Sequence, residues 1–171
     1  MKITVIGNGV SRAPIPLDKI PGTTIGCNAI YRDYSPTYLT VVDYDIMKEI
    51  YDSGYAGKVY YRYQTFKRLE LTEKDNWFTA HFVNGENAGN AGILMAKDLE
   101  ATTIDLIGFD GISQKLYSDT SQANDKFDFW NERLKYLCSD IPTRRVIDDT
   151  CVILEGIDHI SVNDYIKELD I

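Results

Sequence analysis

A glycine-rich segment near the start of the chain, residues 7–12 (Gly-Asn-Gly-Val-Ser-Arg), has the residue types of a phosphate-binding loop. Glycines permit positive φ and let backbone N–H groups approach an anion closely, and serine and arginine side chains add donors. The spacing lacks the third glycine of the dinucleotide fingerprint and the lysine of a P-loop, so a tight turn after a buried strand fits equally well. If the segment does bind a nucleotide, the predicted contacts are Gly7, Asn8, Gly9, Ser11 and Arg12.

An amide side chain, Asn28, follows the second predicted strand, residues 23–27. If this strand pairs with the first, Asn28 lies beside the glycine-rich segment, where its amide could bind a base or a ribose through both donors and acceptors. An asparagine at this position could also close a turn by bonding its own backbone. The sequence favours neither reading.

Acidic residues follow two further predicted strands. Asp43 and Asp45 come after residues 38–42, and Asp110 ends residues 103–110. Carboxylates at the carboxyl edge of an open α/β sheet are well placed for catalysis, so Asp43 and Asp110 are the candidate catalytic acids. Asp43 and Asp45 also form a candidate Mg²⁺ or Mn²⁺ site, although helix capping explains the pair at least as well.

A run of small residues, 87–92 (Asn-Ala-Gly-Asn-Ala-Gly), begins a predicted helix over residues 87–101. Backbone amides at a helix start can bind a phosphate or carboxylate, which makes Gly89 and Asn90 candidate ligand contacts. Simple helix capping is the alternative.

Alternating strands and helices must position these residues, as in a βαβ unit. Apolar β-branched runs predict strands over 3–6, 23–27, 38–42, 58–62 and 103–110, with one or two late strands in 145–148 and 151–154. Helical spacing predicts helices at 46–51, 87–101, 127–137 and after Ser161. Residues 63–82 fit either a helix or an irregular insertion, and 111–122 a polar loop. The predicted fold is α/β, a single Rossmann-like domain over residues 1–171, with a mostly parallel central sheet flanked by helices.

Composition excludes several classes of function. The formal net charge of -8 disfavours an extended nucleic-acid surface, because such surfaces depend on Lys and Arg. No apolar run approaches the roughly 20 residues of a membrane helix, and the first apolar run stops at Gly7, too early for a signal-peptide core. The three cysteines lack paired metal or redox spacing, which favours a reduced, cytoplasmic setting. The two histidines, His81 and His159, are more typical of structural or surface residues than of catalytic ones.

The ordered motifs resemble those of bacterial sialyltransferases that begin with a G-N-G-P-S-L loop and continue to a C-N-x-F-Y stretch. The corresponding segments are residues 7–12 and 27–31, and the family's small-residue helix followed by a strand ending in G-I-D resembles residues 87–110. The wider superfamily includes proteins similar to archaeal 6-hydroxymethylpterin pyrophosphokinase, and small tailed-phage proteins also look similar. A phage origin would place the protein in the host cytoplasm.

The resemblance implies that Asn8 and Asn28 contact a nucleotide, that Gly7 and Gly9 admit its phosphate, and that Gly89 or Asn90 borders the donor. Tyr117 is the nearest counterpart of tyrosines that assist the departing phosphate in that family. The chain departs from the family at Val10 and Arg12, is much shorter, and has no clear counterpart of the general-base histidine.

Two hypotheses follow. The first is a nucleotide- or nucleotide-sugar-binding transferase, and the second is a protein that sequesters a nucleotide or metabolite without chemistry. A short chain could also complete its site with a second copy, so a homo-oligomer is a further hypothesis.

Overall fold

The computed structural model describes residues 1–80, 86–120 and 126–170. In chain order the strands are β1 (Lys2–Ile6), β2 (Thr23–Cys27), β3 (Tyr38–Val41), β4 (Val59–Arg62), β5 (Trp77–Ala80), β6 (Thr103–Ile107), β7 (Thr143–Ile147) and β8 (Asp158–Ser161). The α-helices are α1 (Tyr44–Ser53), α2 (Tyr63–Arg68), α3 (Ala88–Asp98), α4 (Phe127–Cys138) and α5 (Val162–Leu169). No helix among these described residues is long and apolar enough to cross a membrane.

The eight strands form one sheet in the order β5-β4-β3-β2-β1-β6-β7-β8, and every pairing is parallel. The predicted α/β fold with a central parallel sheet is therefore confirmed. The chain adds strands outward on one side from β1 to β5 and then crosses to β6 on the other side, so the order reverses next to β1. Open α/β sheets bind ligands at the carboxyl edge beside such a reversal.

Alternate side chains of β1 pack into two hydrophobic clusters on opposite faces of the sheet. Ile3 and Val5 lie in the cluster that contains the buried faces of α3 and α4. Ile6 lies in the cluster that contains those of α1, α2 and α5. Helices thus cover both faces, which explains why every residue of β1 after Lys2 is buried.

The small residues of α3 let this helix approach the sheet closely. A Cβ at Gly92 would lie 2.8 Å from the Val5 side chain. The hydroxyl of Thr40 in β3 donates to the carbonyl of Ala88 at 2.9 Å. The start of α3 is therefore held directly over the ends of the central strands.

Two segments differ from the sequence prediction. The ambiguous stretch 63–82 contains both α2 and β5, while its last two residues, including His81, lie outside the described residues. The predicted strand at 151–154 is wrong, because this segment is irregular and the last strand is β8. Val152 instead donates its N–H to the carbonyl of Asp110, and β8 is a partly exposed edge strand with little apolar signal. The end of the predicted 111–122 loop also lies outside the described residues.

Candidate functional site

The carboxyl ends of the central strands open into a cavity of about 300 Å³, bounded by the beginnings of α3 and α4. Its lining includes eight of the residues predicted from the sequence, namely Gly7, Asn8, Gly9, Asn28, Asp43, Gly89, Asn90 and Asp110. We call this space the edge cavity. Four predicted residues do not line it: Ser11, Arg12, Asp45 and Tyr117.

The glycine-rich loop uses most of its backbone amides within the protein. The N–H of Gly7 donates to Ile107 at 2.7 Å, and that of Gly9 donates to Gly108 at 2.9 Å. Asn8 lies between them, and its N–H has no acceptor among the described residues. The prediction that the loop binds phosphate through its amides therefore rests on Asn8 rather than on the two glycines.

The glycines are required because β1 and β6 continue to approach each other beyond their last paired residues. A Cβ at Gly7 would lie 2.7 Å from the Gly108 carbonyl oxygen, and one at Gly9 would lie 2.4 Å from the carboxyl carbon of Asp110. Close contact with the Gly108 backbone at Gly7 and with the Asp110 carboxylate at Gly9, rather than ligand access alone, thus accounts for the two glycines.

Arg12 is buried behind the loop, where it organises the backbone. Its Nε donates to the Gly7 carbonyl at 3.0 Å, and its Nη2 donates to Asn8 Oδ1 at 3.2 Å and to the Tyr117 hydroxyl at 3.1 Å. Tyr117 in turn donates to Asp33 at 2.5 Å. Burial and this acceptor raise the pKa of Tyr117. Arg12 therefore fixes the Asn8 side chain through this hydrogen bond, and Tyr117 in turn fixes the Arg12 guanidinium.

Asp110 is the main acceptor in the loop region and is itself buried. It accepts hydrogen bonds from the Ser11 hydroxyl, from the Ser11 N–H at 3.2 Å, from Gln114 Nε2 at 2.8 Å and from the Cys151 thiol at 3.5 Å. Both carboxylate oxygens are thus occupied by protein donors. This arrangement fits a positioning role for Asp110, whose predicted catalytic role stays untested.

Asn28 has an unusual conformation at the end of β2. Its φ is +53°, in the left-handed region that non-glycine residues rarely adopt. Its Oδ1 is buried and has no hydrogen-bond partner in the part of the chain that the structure describes. The side-chain oxygen closes no turn among the described residues, and Asn28 is one of the residues that line the edge cavity. An oriented, unsatisfied amide of this kind is typical of a ligand contact.

The start of α3 presents free amides to the cavity. Asn87 caps the helix by accepting the N–H of Asn90 at 2.7 Å. The N–H groups of Ala88 and Gly89 have no acceptor among the described residues and lie at the positive end of the helix dipole. The side chain of Asn90 turns away from this end and donates to the Trp130 carbonyl at 3.3 Å, which joins α3 to α4.

Three further residues of the cavity lining were missed by the sequence analysis. Glu86, Arg62 and Trp130 each have a buried polar atom that finds no partner among the described residues. Arg62 could have been found by the same rule as Asn28 and Asp43, since it ends β4 at the same edge of the sheet. Glu86 and Trp130 give no such signal in sequence.

A second cavity of about 310 Å³ adjoins the first and shares Asn28 and Asp43 with it. Asp43 occupies the N-cap position of α1, but its side chain makes no capping hydrogen bond, and the residue is exposed. Its carboxylate therefore borders both cavities. Asp45 lines the second cavity only.

The predicted Mg²⁺ or Mn²⁺ site would use these two carboxylates. Within the described residues, no group of three or more His, Cys, Asp or Glu side chains could hold a metal ion. Mg²⁺ commonly takes only one or two protein carboxylates and completes its shell with water and substrate phosphates. The metal site at Asp43 and Asp45 stays a prediction.

His159 lies away from both cavities, with its Nε2 3.2 Å from Arg145 Nη1. Burial lowers the pKa of His159, and the positive charge of Arg145 lowers it further. Below about pH 6.5 the unfolded chain binds a proton at this histidine, whereas the folded protein binds it less readily. The free energy of unfolding therefore falls as the pH falls through that value.

We expect the His159→Gln variant to lose less stability than the wild type on going from about pH 7.5 to about pH 5.5, because glutamine does not titrate. Denaturant unfolding at both pH values measures this difference. Equal losses in the two proteins would show that His159 contributes nothing to the pH dependence.

Comparison with solved structures gives matches over nearly the whole chain. The structure of the sialyltransferase CstII from Campylobacter jejuni with CMP-3FNeuAc matches with a TM-score of 0.62 at 13% sequence identity, covering 92% of this chain and 84% of that one. The fold is sialyltransferase-like. The complex of the same enzyme with cytidine-5'-monophosphate gives 0.55 at 14% identity, over 91% and 84% of the two chains. An alpha-2,3-sialyltransferase from Campylobacter jejuni in apo form gives 0.54 at 13% identity, over 91% and 78%.

No protein-family model matches the sequence, and no curated protein matches it significantly. At these low identities the solved sialyltransferases establish a common fold and leave the function to the residues of the site.

Proposed function

We propose that this protein binds a nucleotide or nucleotide-sugar and acts as a transferase of glycosyl or pyrophosphoryl groups. The observation that carries the proposal concerns the buried polar side-chain atoms that have no hydrogen-bond partner among the described residues. Four of these five atoms, Asn28 Oδ1, Arg62 Nε, Glu86 Oε1 and Trp130 Nε1, belong to residues that line the edge cavity. Buried polar groups in folded proteins almost always have partners, so a concentration of exceptions in one cavity indicates a missing ligand. Two of the similar sialyltransferase structures hold CMP or a CMP-sugar analogue, which supports a nucleotide at this edge.

The anionic part of the ligand would bind at the start of α3. The free amides of Ala88 and Gly89 and the helix dipole favour a phosphate or carboxylate there. The ring of Phe109 packs against Gly89, where a Cβ would lie 2.9 Å from its Cε2 atom. This contact keeps the helix end accessible to backbone binding, because only glycine fits beneath the ring.

Catalysis would consist mainly of positioning and of stabilising the departing phosphate with these fixed amides. Asp43 is the candidate general base, since its exposed carboxylate borders both cavities and is not used for capping. Asp110 would hold the loop in place. We expect Asp43→Asn to abolish turnover while leaving nucleotide affinity within about threefold, because the amide preserves shape and removes the base.

The alternative is a protein that sequesters its ligand unchanged. Two observations favour this alternative. The Asp110 carboxylate already accepts hydrogen bonds from protein donors, and His159 lies away from both cavities. Asp43 is then the candidate base, and without it the site would bind a ligand and not change it. Incubating the purified protein with CMP-, UDP- or GDP-sugars, or with ATP and a pterin acceptor, and analysing the products by chromatography separates the two. Altered ligand would reject sequestration, and tight binding without turnover would reject catalysis.

The nucleotide site is tested most directly at Asn28. We expect Asn28→Gly to weaken nucleotide binding roughly tenfold, because one hydrogen bond of about 1 to 1.5 kcal/mol is lost while glycine tolerates the left-handed backbone. Calorimetry with CMP, UMP, GMP and AMP measures the affinity.

The matched control is Glu100→Gly, since Glu100 also has a positive φ, +63°, but is exposed and remote from the cavity lining. Its affinity should equal that of the wild type. Unchanged affinity in Asn28→Gly, or binding of no nucleotide by the wild type, would reject the proposed site.

Three related proposals accompany this function. The partner is a small molecule, the protein acts in the cytoplasm, of the host if it is phage-encoded, and Mg²⁺ or Mn²⁺ assists at Asp43 and Asp45. Unchanged metal dependence of binding and activity after Asp43→Asn and Asp45→Asn would reject the metal. Sedimentation would show whether the protein is a homo-oligomer.

A further inference from the structure

Three polar side chains near the start of α3 are not explained by the binding of a phosphate. Glu86 Oε1, Arg62 Nε and Trp130 Nε1 are all buried, have no hydrogen-bond partner among residues 1–80, 86–120 and 126–170, and belong to residues that line the edge cavity. We call these three residues the Glu86 cluster. One of its free atoms is an acceptor and two are donors.

The cluster is held in place by the rest of its own atoms. Arg62 Nη2 donates to the Glu86 carbonyl at 2.6 Å, and Arg133 Nε pairs with Glu86 Oε2 at 2.9 Å. The Glu86 side chain is only 2% exposed. The Trp130 backbone is fixed by the bond from Asn90. The free atoms are thus the unused ends of groups that are otherwise bound, which indicates a preorganised site.

The combination of free atoms limits the ligand group that fits. A phosphate would satisfy Arg62 and Trp130 but would place an anion against the Glu86 carboxylate. An ammonium group would satisfy Glu86 and leave both donors unpaired. A hydroxyl both donates and accepts, so two neighbouring hydroxyls satisfy the carboxylate and the two N–H groups together.

We propose that the Glu86 cluster recognises a vicinal diol of the ligand. The diol belongs either to the ribose of the nucleotide or to a hexose attached to it, and in both cases a hydroxyl donates to Glu86 Oε1. This inference rests on the proposed nucleotide-binding function. The Glu86 cluster would then be a subsite that binds hydroxyl groups, next to the subsite that binds the anion.

The two sources of the diol are separated by analogues that lack it. Calorimetry of the full chain with CMP against dCMP, and UMP against dUMP, measures the contribution of the ribose 2′-hydroxyl. UDP-glucose against UDP measures that of the hexose. We expect one of these comparisons to show a difference of about 10- to 100-fold in the wild type, as for hydrogen bonds to a charged group.

Two variants then locate that difference. In Glu86→Gln the amide oxygen can pair with Arg133, which leaves an NH₂ group in place of the free carboxylate oxygen. The charge-assisted bond donated by the ligand hydroxyl is then lost, and at most a weaker neutral bond, with the hydroxyl as acceptor, replaces it. Trp130→Phe removes one donor and retains an aromatic ring. We expect the difference to shrink to within about threefold in Glu86→Gln and to fall severalfold in Trp130→Phe, while affinity for the analogue without the diol stays unchanged.

Glu132→Gln is the matched control, because Glu132 lies on the same helix as Trp130 with its side chain 74% exposed. It should retain the full difference. A wild-type difference that survives unchanged in Glu86→Gln, or no difference in either comparison, would overturn the diol subsite alone. Binding of no nucleotide by the wild type would instead overturn the proposed function, and this inference with it.

Discussion

Replacing Gly108 by alanine is expected to destabilise the protein by about 3 kcal/mol or more. Gly108 has a φ of +73°, and a Cβ there would lie 2.5 Å from the carbonyl oxygen of Gly7 and 2.9 Å from its carbonyl carbon. The left-handed conformation alone costs an L-residue roughly 1 to 2 kcal/mol, and a methyl group forced against backbone adds about 1 to 3 kcal/mol. Neither strand end can move freely, because β1 pairs with both β2 and β6.

The chain offers a close control for the conformational part of this cost. Gly54 ends α1 with the same φ of +73°, but a Cβ there would have nothing within 4 Å. Gly54→Ala should therefore cost only about 1 to 2 kcal/mol. Denaturant unfolding of both variants isolates the steric term as their difference. Equal destabilisation would mean that β1 and β6 separate easily at their carboxyl ends.

The same contact explains why the glycine-rich loop is closed rather than open. Gly9 donates to the Gly108 carbonyl, and an isolated β-bridge between Gly9 and Lys115 continues the interaction. Backbone pairing thus continues past the last residues of β1 and β6 into the segment for which the sequence allowed either a phosphate-binding loop or a tight turn. The binding site that we propose therefore uses Asn28 and the start of α3 more than the amides of the loop glycines.

Much of the fold could be predicted from the sequence because buried parallel strands give a strong local signal. β1, β2, β3 and β6 are buried over nearly their whole length and are rich in β-branched residues, with helices on both faces of the sheet. β5 and β8 lie at the two edges of the sheet and are partly exposed, so their residues carry little pattern. Their strand conformation depends on pairing with β4 and β7, which the sequence does not show.

The site could be predicted only to the level of strand ends. The rule that ligands bind at the carboxyl edge correctly brought Asn8, Asn28, Asp43 and Asp110 to one cavity. It could not show that Arg12 turns back to the Gly7 carbonyl, because side-chain direction in a loop depends on contacts made after folding. Glu86 was missed for the same reason: its importance lies in one oxygen left unpaired, which is a property of the packed structure.

The role of Asp110 gives the second large expected effect. Asp110→Ala removes the acceptor for the Ser11 hydroxyl, the Ser11 N–H and Gln114 Nε2. Each buried donor left without an acceptor costs about 1 to 3 kcal/mol, partly offset where water or movement of a side chain restores a bond. We expect a total loss of about 3 kcal/mol, measured by denaturant unfolding. Asp149→Ala, an exposed aspartate in a nearby turn, should stay within about 0.5 kcal/mol of the wild type.

Asp110→Asn separates the positioning role from a catalytic one. Its amide oxygen can accept from the Ser11 N–H and Gln114, while its NH₂ group can donate to the Ser11 hydroxyl, which reverses its own bond. A positioning residue would therefore lose about 1 kcal/mol of stability and retain nucleotide affinity and most of any turnover. A general base would instead lose its turnover completely, with the same small loss of stability, because an amide cannot take the proton. That second result would make Asp110, in place of Asp43, the general base. The Asp110 carboxylate would then have to release its hydrogen bonds from protein donors and contact the substrate.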